Sequence, residues 1–218
     1  NGVTSDVVRV LVFDNSNPAA NAGPDQSLCT TNGTATMAGS TVTVPAAGQW
    51  TLVSVTGTIT VPASPTTSVT GLGVGQNIFQ WTVDNGPCGG ITTDQMSIFI
   101  YDPANSAADA GADQSFCTPI TSTTLEGSPV TFPAQGTWTQ ASGPTATIVS
   151  PNDPNTAITG IGIGVSEFVW TVNNGACPNP ITSNSMIITL ADGDAQAAEA
   201  GPDQSLCGTA TGTTLAAN

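Results

Sequence analysis

Ala22-Gly23-Pro24-Asp25-Gln26-Ser27-Leu28-Cys29 occurs, with small changes, three times in the 218-residue chain. It returns as Ala110-Gly111-Ala112-Asp113-Gln114-Ser115-Phe116-Cys117 and as Ala200-Gly201-Pro202-Asp203-Gln204-Ser205-Leu206-Cys207. The cysteines closing the copies stand 88 and 90 residues apart. Solenoid units run about 20–50 residues, so a period this long is that of a small autonomous domain. The sequence therefore predicts a string of like domains, each opened by the octapeptide. The expected parts are the last strand of a preceding repeat at 1–14, complete repeats at 19–102 and 107–191, and the first strands of a following repeat at 200–218. On this reading the chain is a window on a longer array. The short, Gly-poor linkers at 103–108 and 192–198 point to a semi-rigid rod.

Within the first repeat, strands are expected at 26–29, 34–38, 49–55, 58–61, 66–71, 77–83 and 95–101. Turn residues separate them: Asn32-Gly33, Pro45 to Gly48, Pro62 to Pro65, and Asp84-Asn85-Gly86-Pro87. Seven short strands with frequent turns predict an all-β fold, a seven-stranded antiparallel two-sheet sandwich. In Phe79-Gln80-Trp81-Thr82-Val83, residues 79, 81 and 83 share one face by period-2 alternation. Phe168, Trp170 and Val172 do the same, so these residues are placed in the core, beside Met96, Ile98 and Ile100 or Met186, Ile188 and Leu190. Trp50 maps onto Trp138 88 residues on, whereas Trp81 maps onto Trp170 89 residues on. One residue is thus inserted in the second repeat, expected in the 145–154 region. Val8, Val10 and Val12 alternate with Arg9, Leu11 and Phe13, a half-buried strand with Arg9 facing outward.

One basic residue stands against fifteen acidic ones, with no Lys and no His, and the net charge is −14. Phosphate binding needs Lys and Arg clusters, so nucleic acid and anionic lipid are excluded as partners. No apolar run approaches the eighteen residues of a membrane span. The five cysteines fall in register: Cys29 is followed by Cys88 and Cys117 by Cys177, at separations of 59 and 60. The expected pairing is one disulfide within each repeat, Cys29–Cys88 and Cys117–Cys177, in an oxidising compartment. Cys207 is left unpaired, its mate expected about 60 residues further on by the same pattern. Reduced, buried thiols are the alternative. Zinc has neither a CxxC motif nor a His to hold it.

Without His or Lys, the common general bases and Schiff-base nucleophiles are missing, and no catalytic residue is assigned. Lys–Asn isopeptide staples are excluded for the same reason. Calcium is the one cofactor weighed. Asp102, Asp109 and Asp113 fall near one repeat boundary, Asp192, Asp194, Glu199 and Asp203 near the next, and Asp14 and Asp25 flank the first. Hard oxygens there suit Ca²⁺. The plainer reading, that Asp starts turns and keeps sheet edges soluble, is preferred.

Ala22-Gly23-Pro24-Asp25-Gln26, then Gly136-Thr137-Trp138-Thr139-Gln140-Ala141-Ser142-Gly143-Pro144, then Thr159-Gly160-Ile161 and Phe168-Val169-Trp170-Thr171-Val172-Asn173-Asn174-Gly175 carry a family likeness. The chain resembles polycystic-kidney-disease (PKD) or immunoglobulin-like repeats. With its cysteines it is similar to those of very long Bacteroidota surface proteins, including gliding-motility adhesins exported by the type IX system. Repeat one departs from the pattern: Trp50-Thr51-Leu52-Val53-Ser54-Val55-Thr56-Gly57 lacks the Gln and the Ser-Gly-Pro. The resemblance implies a non-catalytic sandwich used as a spacer or adhesive stalk, extracellular and at the cell surface, whose partners are neighbouring repeats of the same chain. Each unit would add about 35–45 Å. One alternative is a self-assembling filament, with Phe13, Phe99 and Tyr101 burying against other chains. A second is a polysaccharide-binding accessory module.

Overall fold

The structure, a computed structural model, describes residues 2–54, 56–105, 107–117, 120–193, 198–209 and 211–217. The first sandwich holds β1 (Gln26–Cys29), β2 (Gly33–Ala38), β3 (Ala47–Ser54), β4 (Thr58–Ile59), β5 (Thr66–Leu72), β6 (Gly75–Asp84), the four-residue helix α1 (Gly86–Gly89) and β7 (Ile91–Tyr101). The second holds β8 (Gln114–Phe116), β9 (Ser122–Thr124), β10 (Gln135–Ser142), β11 (Thr147–Ile148), β12 (Ala157–Thr159), β13 (Gly164–Asn173) and β14 (Ile181–Leu190). Each is a four-stranded sheet facing a three-stranded one. The orders are β1-β7-β6-β3 over β2-β5-β4, and β8-β14-β13-β10 over β9-β12-β11. Among the described residues no helix is long and apolar enough to cross a membrane.

Period-2 alternation sets the cores. Phe79, Trp81 and Val83 on β6 and Met96, Ile98 and Ile100 on β7 are buried in one cluster. Phe168, Trp170, Val172, Met186, Ile188 and Leu190 are buried in a second. Trp50 and Trp81 are cross-strand partners with ring centroids 5.1 Å apart. Trp138 and Trp170 repeat the pair at 5.1 Å. Each indole N–H finds an acceptor: Trp50 donates to the Pro65 carbonyl, Trp81 to the Ser40 hydroxyl, Trp138 to the Pro154 carbonyl and Trp170 to the Ser128 carbonyl. These tryptophans are core, and none is a platform for a sugar ring.

The Ala, Gly, Asp and Gln of the octapeptide have the same structural work in both sandwiches. The Ala22 N–H donates to the Asp94 carboxylate at 2.8 Å, and the Ala110 N–H to the Asn184 side-chain carbonyl at 2.9 Å. Gly23 and Gly111 hold φ of +80° and +77°, tight against the carbonyls of Ala38 and Glu126, which only glycine tolerates. Asp25 accepts the Ser97 N–H and Asp113 the Ile187 N–H, each at 2.7 Å. Gln26 donates to the Thr36 carbonyl and Gln114 to the Thr124 carbonyl, each at 2.9 Å. The third copy keeps the same local shape, with Gly201 at φ +78° and Gln204 donating to the Thr214 carbonyl at 2.9 Å.

The structure departs from expectation in four places. The sandwiches are not purely antiparallel: β1 pairs with β7, and β8 with β14, in parallel. Both members of each pair run from the pole where the chain comes in to the pole where it leaves. The turn expected at 84–87 instead leads into α1, which begins at Gly86 and runs to Gly89. The inserted residue falls in the β10–β11 loop, ahead of most of the 145–154 region, because β3 and β10 are 88 residues apart and β4 and β11 are 89 apart. Gln140 organises that longer loop, donating to the carbonyls of Ser142 and Pro144 and accepting the Ala146 N–H. Finally, the described residues of 1–14 and 200–218 form no strands and are mostly exposed. A strand needs a neighbour for its N–H and C=O groups, and neither segment has one here.

Candidate functional site: the junction between sandwiches

At the exit pole of the first sandwich, β7 ends at Tyr101 and β1 ends beside it, with Cys29 opposite Tyr101 in register. The turn between β13 and β14 of the second sandwich, carrying Asn174, Gly175 and Cys177, meets this pole. The Tyr101 ring lies over Gly175, whose φ is +50°, and a Cβ there would run into the ring. The Asn174 amide donates to the Asp102 carbonyl at 3.0 Å, and its oxygen accepts from the Asn105 amide at 3.1 Å. Asn105 in turn accepts the Thr131 N–H at 3.2 Å. Asn174 is buried, so these bonds replace the water it has lost. The Phe132 ring lies near Gly75 of the first sandwich, 4.0 Å from where a Cβ on that glycine would stand. Among the described residues no buried side-chain N or O lacks a partner.

A disulfide, Cys29–Cys177, closes this junction, with a Cα–Cα distance of 4.8 Å and a sequence separation of 148. Cys88, Cys117 and Cys207 are free and exposed. The expected pairs Cys29–Cys88 and Cys117–Cys177 are therefore corrected: the bond joins the two repeats instead of closing each. The reason lies in the parallel pairing of β1 on β7. Cys29 sits at the exit pole beside Tyr101, whereas Cys88 sits in α1, just ahead of the start of β7 at Ile91. The length of β7, roughly 30 Å, lies between them. A disulfide needs Cα atoms about 4.4–6.8 Å apart. Cys117 and Cys177 are likewise held apart by β14, since Phe116 is level with Leu190 and Cys177 precedes Ile181.

The same seam is built once more at the start of the chain. The Phe13 ring lies over Gly86, at φ +51°. The Asn85 amide donates to the Asp14 carbonyl at 3.0 Å, its oxygen accepts from Asn17 at 3.1 Å, and Asn17 accepts the Thr43 N–H at 2.9 Å. The Cys88 thiol approaches the Phe13 carbonyl at 3.5 Å. The aromatic-on-glycine packing and the three asparagine bonds are those of the 101–177 seam moved by 88 or 89 residues. Phe13 and Tyr101, read from sequence as outward aromatics for other chains, are half-buried within these seams. Phe99 is half-buried on β7.

Asp14, Asp25, Asp102, Asp109 and Asp113 each serve their own local partners. Asp102 accepts the Ala104 N–H, Asp109 the Gly111 N–H and Asp113 the Ile187 N–H. Asp14 accepts the Ser16 hydroxyl and then its N–H, which holds its carboxyl below the usual carboxylate range. Asp25 serves β7, as described above. Asp194 lies outside the described residues. Among the described residues no three His, Cys, Asp or Glu side chains stand close enough together to hold a metal ion. Asp113→Ala is expected to cost about 1–2 kcal/mol by orphaning the Ile187 N–H. The loss of melting temperature should be the same in millimolar calcium and in chelator. A loss seen only with calcium present would return the metal to consideration.

No family model matches the sequence, and no curated protein matches it. Solved structures with a similar fold include a PKD domain determined in solution, at 24% identity and a TM-score of 0.36, covering 47% of this chain and 96% of that one. A titin fragment is similar at 12% identity and a TM-score of 0.43, covering 80% of this chain and 100% of its own. A third is a SusE-like surface-located polysaccharide-binding protein from the Bacteroides thetaiotaomicron heparin utilisation locus, at 12% identity and a TM-score of 0.29, covering 79% of this chain and 34% of that chain.

Proposed function

We propose that the chain is a non-catalytic repeat segment of the extended stalk of a secreted bacterial surface adhesin, of the kind its sequence resembles. The observation that carries this reading is the junction. A short, Gly-poor linker by itself only limits the swing of two sandwiches. Here the linker is fixed by Asn105 and Asn174 and bypassed by the Cys29–Cys177 bond. The tie runs from domain to domain. It limits bending and extension, which is what a stalk requires. The bond also calls for an oxidising compartment, in keeping with a place outside the cytoplasm. The near absence of Lys and Arg leaves a trypsin-like protease one site, at Arg9.

Negative-stain electron microscopy of the purified chain tests the reading. The expected particle is a short rod of two beads, each bead about 35–45 Å long, with a narrow distribution of angle between them. Reduction should broaden that distribution. Freely hinged beads in the oxidised protein would remove the stalk reading. Regular multi-chain fibres would replace it with the filament.

A further inference from the structure

We infer that Cys88 and Cys117 are each one half of a staple like Cys29–Cys177, and that the partner each takes is a further repeat of this same kind. In such an array, the octapeptide cysteine of every repeat bonds the β6–β7-type turn of the next. Three observations carry the inference. Cys88 occupies in the first sandwich the place that Cys177 occupies in the second, just ahead of the last strand. Cys117 directly follows β8 at the exit pole, as Cys29 ends β1, and the Ala191 N–H donates to the Phe116 carbonyl as the Thr30 N–H does to the Tyr101 carbonyl, with strand roles exchanged. The docking surface at Cys88 is also already half filled. Phe13, Asp14 and Asn17 are seated on Gly86 and Asn85 just as Tyr101, Asp102 and Asn105 are seated on Gly175 and Asn174. By the same geometry, the β1-type strand of a preceding repeat would run beside residues 3–13 and bring its cysteine to Cys88. Forming each bond removes two thiol protons and two electrons, taken up by a thiol–disulfide oxidant such as oxidised glutathione.

The inference stands apart from the stalk reading, since bond partners and particle shape are measured separately. Two extended chains test it, both refolded in a glutathione redox buffer. Residues 1–14 align with 89–102, so placing a copy of residues 19–88 ahead of Asn1 completes a preceding sandwich. Residues 200–218 align with 110–128, so placing a copy of 129–191 after Asn218 completes a following one. Alkylation under denaturing, non-reducing conditions, then peptic digestion and mass spectrometry, identifies the bonds. The unextended chain has three free cysteines. The first extension adds two cysteines, yet the number of alkylated thiols should stay at three, with the added Cys29 copy bonded to Cys88. The second adds one cysteine and should lower the number by one, with the added Cys177 copy bonded to Cys117. In the first extended chain, Cys88→Ser should free the added Cys29 copy for alkylation. An added Cys29 copy bonded within its own repeat, or alkylated while the added sandwich is folded by near-ultraviolet circular dichroism, overturns the inference. The two extensions are independent, so if one does not fold the other decides.

Discussion

Pulled from residues 2 and 217 with its disulfide intact, the chain should stop extending roughly 500 Å short of its reduced form. The Cys29–Cys177 bond has a sequence separation of 148, and fully extended chain spans at most about 3.3–3.6 Å per residue. Strands β2 to β13 all lie inside that closed loop, so tension passes from Cys29 to Cys177 without crossing them. Only β1 and β14, with the segments outside them, can be peeled away. In the reduced chain both sandwiches lie on the force path and unfold in turn. Closing a loop of this size also restricts the unfolded ensemble, by about 5 kcal/mol on the chain-entropy estimate. Single-molecule force spectroscopy reads the difference directly. Cys29→Ser should restore the longer contour, whereas Cys88→Ser should leave the short one unchanged. Equal contour lengths with and without reductant would mean that the bond does not span the two sandwiches.

The fold was largely legible because it rests on local signals. Alternation along 79–83 and 168–172 named the buried face, and Asn-Gly, Pro and Gly clusters marked the turns. The strand bounds moved by a few residues; β6, for example, begins at Gly75 rather than at residue 77. The disulfide was not legible, because the spacing of Cys29 and Cys88 says nothing about which pole each reaches. That depends on whether the octapeptide strand runs parallel or antiparallel to the last strand, a long-range choice without a mark in the residues themselves. The seam does leave a mark in the sequence. Asp14, Asn17, Asn85 and Gly86 recur as Asp102, Asn105, Asn174 and Gly175, a shared spacing that joins a linker to a turn more than 60 residues away. Alternation alone turns the aromatics Phe13 and Tyr101 outward. Alternation shows which side of its own sheet a residue faces, and the next sandwich is what covers that side.

Trp170→Ala should remove most of the stability of the second sandwich while leaving that of the first intact. Trp170 is fully buried on β13, its ring 5.1 Å from that of Trp138 and its N–H bonded to the Ser128 carbonyl at 3.1 Å. Gly127 and Gly136 lie directly against the ring, and a Cβ on either would crowd it, so no neighbouring side chain there can fall into the space left behind. A Trp→Ala change in such a core costs about 3–5 kcal/mol. Loss of the aromatic pair adds about 0.5–1.5 kcal/mol. A small domain has roughly 5–15 kcal/mol in total, and one of this size sits near the lower end. At about 4–8 °C per kcal/mol, the second sandwich should melt at least ~15 °C lower. The cores of the two sandwiches are separate clusters, so Trp50 and Trp81 should still report the native transition of the first sandwich. A melt followed by tryptophan fluorescence and circular dichroism should therefore split into two steps. Were Trp170 instead an exposed sugar-stacking platform, the change would cost within about 0.5 kcal/mol and the melt would not move. An unshifted melt would thus refute the placement of this tryptophan in the core, and with it the register that sets the whole β13 face.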